Sequence, residues 1–314
     1  IFEPAEDLKQ REFGMRWFFT LAAAVYLTCG ITLAEVHQIR IIHTNDIGGV
    51  LVDAVKPGTT LAAKITAVES LKKDWPHLVV DVGNAFGPDN LSAWEEGRSV
   101  AEAFKRAGYS GFTPGHHDFD YGIDALTARS KQADLPFLAS NVTASRPQDR
   151  LPFEPYVITQ VGGITIGLIG AVDRNIGTRM NPETASKVVV TDPVKSARAT
   201  LSALENYGVD LTILLLHADV EASLAVARAL PGLDLLIAGG HVAGQTESAT
   251  IQYKLANGVQ VLTTHPGGTS VGYADLVFRQ ESGVFELDAI STSAIETSQL
   301  QQDSSVVARA DSVQ

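Results

Sequence analysis

Residues Gln38 to Asp46 read QIRIIHTND. The largely apolar run from Ile39 to Ile42 predicts a buried strand, and it passes directly into a polar loop carrying Asp46. The same layout returns along the chain. HLVVDVGN (His77–Asn84), DLTILLLH (Asp210–His217) and LDLLIAGGH (Leu233–His241) are apolar strands that end on a polar side chain. A short extended piece, SGFTP, leads into PGHHDFDYG (Pro114–Gly122), with two histidines beside two acids. Asp46, Asn84, His116, His117, His217 and His241 therefore all fall just past the C-terminal end of a predicted strand. In α/β sheets that edge is where ligands bind.

Helices are predicted between these strands. Leu61, Ile65, Val68 and Leu71 recur at helical spacing, and SVAEAFKRAG ends at Gly108, a suitable C-cap. Two more helices are expected over Pro193–Asn206 and Glu221–Leu230. PFLASNV reads as a strand, and YVITQVGGITIGLIG as a hairpin turning at Gly162-Gly163. Beyond Leu255 the pattern becomes strands alone: GVQVLTTHPGG, SVGYADLVF and GVFELDAIS, in the style of a meander, with no further helix expected. Strand–helix alternation followed by a run of strands predicts an α/β sandwich with a mixed sheet.

Composition narrows the function. A net charge of −12 argues against a nucleic-acid-binding surface, which needs clustered Lys and Arg. An acidic protein still handles an anionic substrate if a bound cation reverses the local field. Cys29 is the single cysteine, so an intrachain disulfide and a Cys-rich metal site are both excluded. From Met15 the chain reads MRWFFTLAAAVYLTCGITLAEVHQ: a basic start at Arg16, an apolar stretch to Leu33, and small residues near Ala34. This is the layout of a secretory signal peptide over residues 15–34, with a membrane anchor as the alternative. The expected location is periplasmic or extracellular. Residues 1–14 are read as a leader outside the fold, 38–291 as the functional domain, and 292–314 as a polar linker or tail.

Taken in order, IIHTND, VVDVGN, GHHDFDYG, SNV, LLLH and AGGH resemble the sequence blocks of the calcineurin-like metallophosphoesterases. The branch they resemble most is the secreted 5′-nucleotidases, with their relatives the thiosulfohydrolases. The resemblance runs from about Ile39 to Glu286. It implies a four-layer αββα sandwich, a site for divalent metal (Zn, Mn or Fe), and a small phosphoester as substrate. It also implies that the nucleoside-binding C-terminal domain usual in this branch is absent from the present sequence.

The chain departs from that pattern on one side. Where the family has D-x-H, this sequence has Asp46-Ile47-Gly48. The bridging aspartate is Asn84, and G-H-x-H is Gly240-His241-Val242-Ala243. G-N-H-[DE] becomes Gly115-His116-His117-Asp118, with the ligating asparagine replaced by His116. By the family's pattern the first metal site keeps only Asp46, while the second keeps His217 and His241 and gains His116. The resemblance thus implies one metal per chain, held by His116, His217 and His241 with Asp46 and Asn84 near, an arrangement suited to zinc. It implies that His117 protonates the leaving oxygen and that Asp120 orients it. Asp118 is expected to cap its loop, and Asp81 either caps the neighbouring loop or stands in for the lost bridge. His43 is expected to be a hydrogen-bonded structural residue, and His37 and His77 to face solvent. His265, at another strand end, is a reserve replacement for a lost ligand. The leading function is a metal-dependent phosphomonoesterase. The alternatives are a homologue that binds metal or phosphate without turnover, and a thiosulfohydrolase-like enzyme.

Overall fold

Ile39 and Ile41 point to one face of their strand and Ile42 to the other, and all three are fully buried. A strand buried on both faces needs a layer on each side. The computed structural model describes residues 35–53, 56–240, 251–264 and 269–313. The expected leader and signal segment, His241, Ala243 and His265 lie outside the described residues.

The strands are β1 (Glu35–Thr44), β2 (His77–Asp81), β3 (Gly111–Phe112), β4 (Phe137–Leu138), β5 (Val142–Ala144), β6 (Phe153–Glu154), β7 (Tyr156–Val161), β8 (Ile164–Val172), β9 (Val188–Val190), β10 (Leu211–His217), β11 (Leu235–Ala238), β12 (Ile251–Lys254), β13 (Gln260–Thr263), β14 (Ser270–Glu281) and β15 (Val284–Glu296). The helices are α1 (Leu61–Leu71), α2 (Asn90–Trp94), α3 (Arg98–Ala107), α4 (Gly122–Ala133), α5 (Pro182–Ala185), α6 (Pro193–Glu205), α7 (Val220–Arg228) and α8 (Ser304–Val313).

One sheet runs β15-β14-β1-β2-β3-β4-β6 and a second runs β12-β13-β11-β10-β8-β7. Both are mixed. β1 pairs parallel with β2 and antiparallel with β14, and β8, β10, β11 and β13 are parallel, flanked by antiparallel β7 and β12. Ile39, Ile41, Leu78 and Val80 of the first sheet pack on Ile166, Leu168, Ile213 and Ile237 of the second. Helices α1, α3 and α8 bury Ile65, Val68, Phe104 and Ala310 in the outer core of the first sheet, and α6 and α7 bury Leu204 and Leu224 in that of the second. The architecture is the four-layer αββα sandwich.

Local signals explain the helix ends. The Thr60 side chain accepts the Ala63 N–H at the start of α1, Asp192 accepts two N–H groups before Pro193 of α6, and Asp219 caps α7. Gly108 closes α3 at φ 70°, as predicted. The hairpin at Gly162-Gly163 is β7–β8.

Five expectations change. The stretch from Thr292, read as linker or tail, continues β15 to Glu296 and then forms α8. Its apolar content is small but well placed: Val306 and Ala310, four residues apart, are both buried, and Arg309 reaches Glu95 (3.1 Å) and Glu102 (3.2 Å). β13 lies parallel to β11 rather than in a meander, because β12 intervenes and the turn at Gly258 reverses the chain before it pairs with β11. PFLASNV splits into β4 and β5, since Asn141 is fully buried and ties its own turn to Val172 and Thr191. His43 is fully buried, yet neither ring nitrogen has a partner among the described residues. Burial pushes it down to about 4, so it is a neutral packing group against Gly272. His37 is also less exposed than expected and packs edge-on against Phe285.

Candidate functional site

β1 and β2 end side by side, and their loops stay zipped together. Asp46 N–H donates to Gly83 O (2.9 Å), Gly48 N–H to Asn84 O (2.7 Å) and Gly49 N–H to Ala85 O (2.9 Å). Asp46 and Asn84 adopt left-handed backbones, φ 51° and 58°, which Asp and Asn tolerate better than most residues. Gly83, at φ 94°, has no alternative: a Cβ there would sit 2.6 Å from the His217 ring and 2.5 Å from the Gly115 backbone.

The histidine loop is pinned to these turns by Asp118. Its buried carboxylate accepts the N–H groups of Asn84 (2.7 Å), Ala85 (2.8 Å), Phe86 (2.8 Å) and Gly115 (2.7 Å). Burial pushes this carboxyl up to about 6 while the four donors pull it down, so it is ionised at neutral pH. It caps the loop, as expected. Asp81 does the same one layer deeper, accepting from Thr44 Oγ1 (2.6 Å) and Gly83 N–H (2.9 Å). Both of its oxygens are occupied in the interior, and burial holds it well above the ordinary carboxylate range.

One flank of the site carries imidazoles. The His116 and His117 rings lie 4.1 Å apart, centroid to centroid, and those of His116 and His217 6.2 Å apart. His217 Nδ1 lies 2.6 Å from the Val82 carbonyl. A carbonyl only accepts, so Nδ1 carries the proton and Nε2 keeps a free lone pair. His116 Nδ1 is buried with no hydrogen-bond partner among the described residues. Burial, then His117, His217 and Arg179, push His116 down to about 4, and burial lowers His217 as well. Both rings are therefore neutral at pH 7. His117 Nδ1 pairs with Asp120 Oδ2 at 2.9 Å, which fixes the ring and turns Nε2 away from the acid.

The other flank carries a carboxylate and amides. Asn84 Nδ2 donates to Asp46 Oδ1 (2.9 Å), and Asn45 Nδ2 donates to Asp46 Oδ2 (2.7 Å). Asn84 Oδ1 accepts the His117 N–H at 3.1 Å, so one amide ties the two flanks together.

The structure thus brings together Asp46, Asn84, His116, His117, Asp120 and His217, six of the seven predicted site residues; His241 lies outside the described residues. Two residues near the site carry no motif. Lys64 is fully buried on α1 and donates to Asn45 O at 2.8 Å; burial pushes it down to about 8 against the pull of Asp81 and Asp46. The signal for it was a lysine interrupting the Leu61–Ile65–Val68 stripe. Arg179 follows β8 and bears on both His116 and His217; nothing in its local sequence marks it.

No protein-family model matches the chain. Among curated proteins, a 5′-nucleotidase from Bos taurus is 26% identical over 219 residues, 65% of this chain and 38% of that protein. Protein UshA from Salmonella pullorum is 27% identical over 275 residues, 78% of this chain and 50% of that protein. Among solved structures, a 5′-nucleotidase precursor from Thermus thermophilus aligns with a TM-score of 0.72 at 24% identity, over 88% of this chain and 58% of that one. The calcineurin-like phosphoesterase YfkN from Bacillus subtilis aligns at 0.75 and 21% identity, over 89% of this chain and 97% of that one. The chain is similar in sequence to the 5′-nucleotidases and shares the fold of the calcineurin-like phosphoesterases. It spans half or less of the length of these two curated relatives.

The phosphoesterases that the chain resembles are metal-dependent. Among the described residues, no three His, Cys, Asp or Glu side chains gather as a metal site. Two features nonetheless suit a divalent ion on the imidazole flank. His116 offers an orphaned buried nitrogen, and His217 is held by a backbone carbonyl in the tautomer that leaves Nε2 free. The Asp46 flank fits an ion poorly, since both carboxylate oxygens already accept from amides. At Gly48, where the family pattern places histidine, an added Cβ would meet only Val50 at 3.9 Å, so the space is open, although the left-handed backbone at φ 68° favours glycine.

Proposed function

We propose that this domain is a metal-dependent phosphomonoesterase of 5′-nucleotidase type that uses one divalent ion, held by His116, His217 and His241. The observation that carries the reading is the His117–Asp120 pair: an imidazole held at 2.9 Å by a carboxylate, its ring centroid 4.1 Å from that of His116. The ion supplies Lewis acidity to water and to the phosphoryl oxygens. His117 delivers a proton from Nε2 to the leaving oxygen, and Asp120 holds the ring in the orientation this requires. Asn84 spaces the His117 backbone from Asp46, and Asp118 keeps the loop closed under both. A nucleoside monophosphate is the substrate class that the curated relatives' names favour, and export follows from the pattern over residues 15–34. No helix among the described residues is long and apolar enough to cross a membrane.

A second reading, binding without turnover, is favoured by one observation. Asp46, the last carboxylate of the first metal site, is engaged by Asn84 and Asn45. The test is release of inorganic phosphate from nucleoside 5′-monophosphates with zinc, manganese or iron(II), compared between wild type and His117→Ala. Metal-dependent release that falls by about 10²–10⁴-fold in the variant supports the enzyme. No release from wild type with any of these ions gives the binding reading.

A further inference from the structure

Arg179 closes the turn Ile176–Thr178 after β8, with its N–H donating to Ile176 O at 3.0 Å. Its side chain is 46% exposed, and Nη2 makes a single contact, 3.3 Å to Asp173 Oδ2. A guanidinium has five N–H donors. Arg40 holds Asp275 through two nitrogens and Leu71 O through a third, and Arg146 holds Asp149 through two, whereas Arg174, Arg198 and Arg279 are, like Arg179, held through one. Arg179 has only this one side-chain bond among the described residues. Its anchor leads to the site. Val172 is paired with His217 across β8 and β10, and the next residue, Asp173, donates its N–H to His217 O at 2.9 Å. The guanidinium is thus anchored on the residue that follows the strand partner of His217, with most of its donors unused among the described residues.

The charge of the site calls for such a group. Asp46, Asp120 and Asp173 surround the imidazoles, and a phosphate monoester adds further negative charge. With a single divalent ion, the positive charge of a second is missing. A planar guanidinium supplies a permanent cation and matches two phosphate oxygens at once. We propose that Arg179 is the anion-binding residue of this site, taking non-bridging oxygens of a phosphomonoester or of free phosphate placed against His116 and His217. This rests on the phosphoesterase reading above but is separable from it. The field of Arg179 at both histidines agrees with the placement.

The test uses the full chain as purified and inorganic phosphate as the probe, with Arg179→Gln, Arg179→Lys and, as a control, Arg174→Gln. Arg174 is on the same loop but pairs with Asp192 at 3.0 Å. Calorimetric affinity for phosphate should fall about tenfold or more in Arg179→Gln, less in Arg179→Lys, and stay unchanged in Arg174→Gln. Metal content and melting temperature should not move. With a hydrolysed substrate, KM should rise more than kcat falls, which separates the bound ester from product phosphate. Wild type that binds no phosphate, Arg179→Gln that binds it as wild type does, or Arg174→Gln that weakens it equally would each overturn the proposal. Phosphate binding lost in Arg179→Gln, from a protein that hydrolyses nothing, would keep this proposal and remove the enzymatic one. Hydrolysis unaffected by Arg179→Gln would do the reverse.

Discussion

On one flank of the strand ends, His116, His117 and His217 bring three rings into one cluster, with the tautomer of His217 fixed by Val82 O. On the other, Asp46 and Asn84 meet as carboxylate and amide at 2.9 Å. The backbone beneath both is shared, zipped by the β1 and β2 loops and capped by Asp118. The difference lies in what each flank does without a cation. The neutral rings of His116 and His217, with unused lone pairs, are incomplete until something accepts those pairs. A carboxylate held by two amides is already complete. Two carboxylates in the same place would repel unless an ion lay between them.

The strongest blow to this contrast should come on the imidazole flank. His117→Ala should keep its metal and lose about 10²–10⁴-fold in kcat, while His116→Ala should lose metal and activity together. Paired elemental analysis and kinetics decide this, and equal metal loss in both variants would erase the division of labour. Asp118→Ala should be next. It leaves four buried N–H groups without an acceptor, and each such group costs about 1–3 kcal/mol. A loss of about 4 kcal/mol or more in urea denaturation is expected; a loss under about 1 kcal/mol would mean the two flanks do not depend on this clamp.

Acid should act beneath the Asp46 flank, through His43 on β1. Burial lowers His43 from 6.5 to about 4. The unfolded imidazole therefore takes up a proton between pH 6.5 and pH 4 that the folded one refuses. Stability should fall as pH drops through that window, by on the order of 3 kcal/mol at its lower end. His43→Gln should be less stable at pH 7 but flatter across the window; an unchanged slope would clear His43 of this role. The smallest effect is expected from Asn84→Asp. It sets a second carboxylate against Asp46 and should destabilise chelated protein by about 1–2 kcal/mol, with recovery on adding zinc or manganese. A melting temperature indifferent to both the substitution and the ion would show that the amide plays no part in the contrast.

Much of this was legible in the sequence because apolar strands and their polar ends are local signals. IIHTND, VVDVGN and LLLH place Asp46, Asn84 and His217 without any knowledge of pairing. The capping role of Asp118 was legible in kind but not in extent, since its partners Asn84, Ala85 and Phe86 lie more than thirty residues away. Helix α8 was hidden because Thr292–Asp303 is rich in Ser, Thr and Gln, and the helix itself has only a narrow apolar stripe. Its hold on the fold comes as much from Arg309 reaching Glu95 and Glu102 as from burial. Arg179 was hidden for a different reason. Its position depends on the β8–β10 register, which sets Asp173 beside His217, and no spacing in the chain encodes that neighbour.

The contrast between the flanks is tested most directly by counting metal in protein purified without chelators and locating it by anomalous scattering. About one divalent ion per chain is expected, on the side of His116 and His217, with Asp46 still hydrogen-bonded to Asn84. Two ions at full occupancy, or a single ion seated on Asp46 and Asn84, would contradict it.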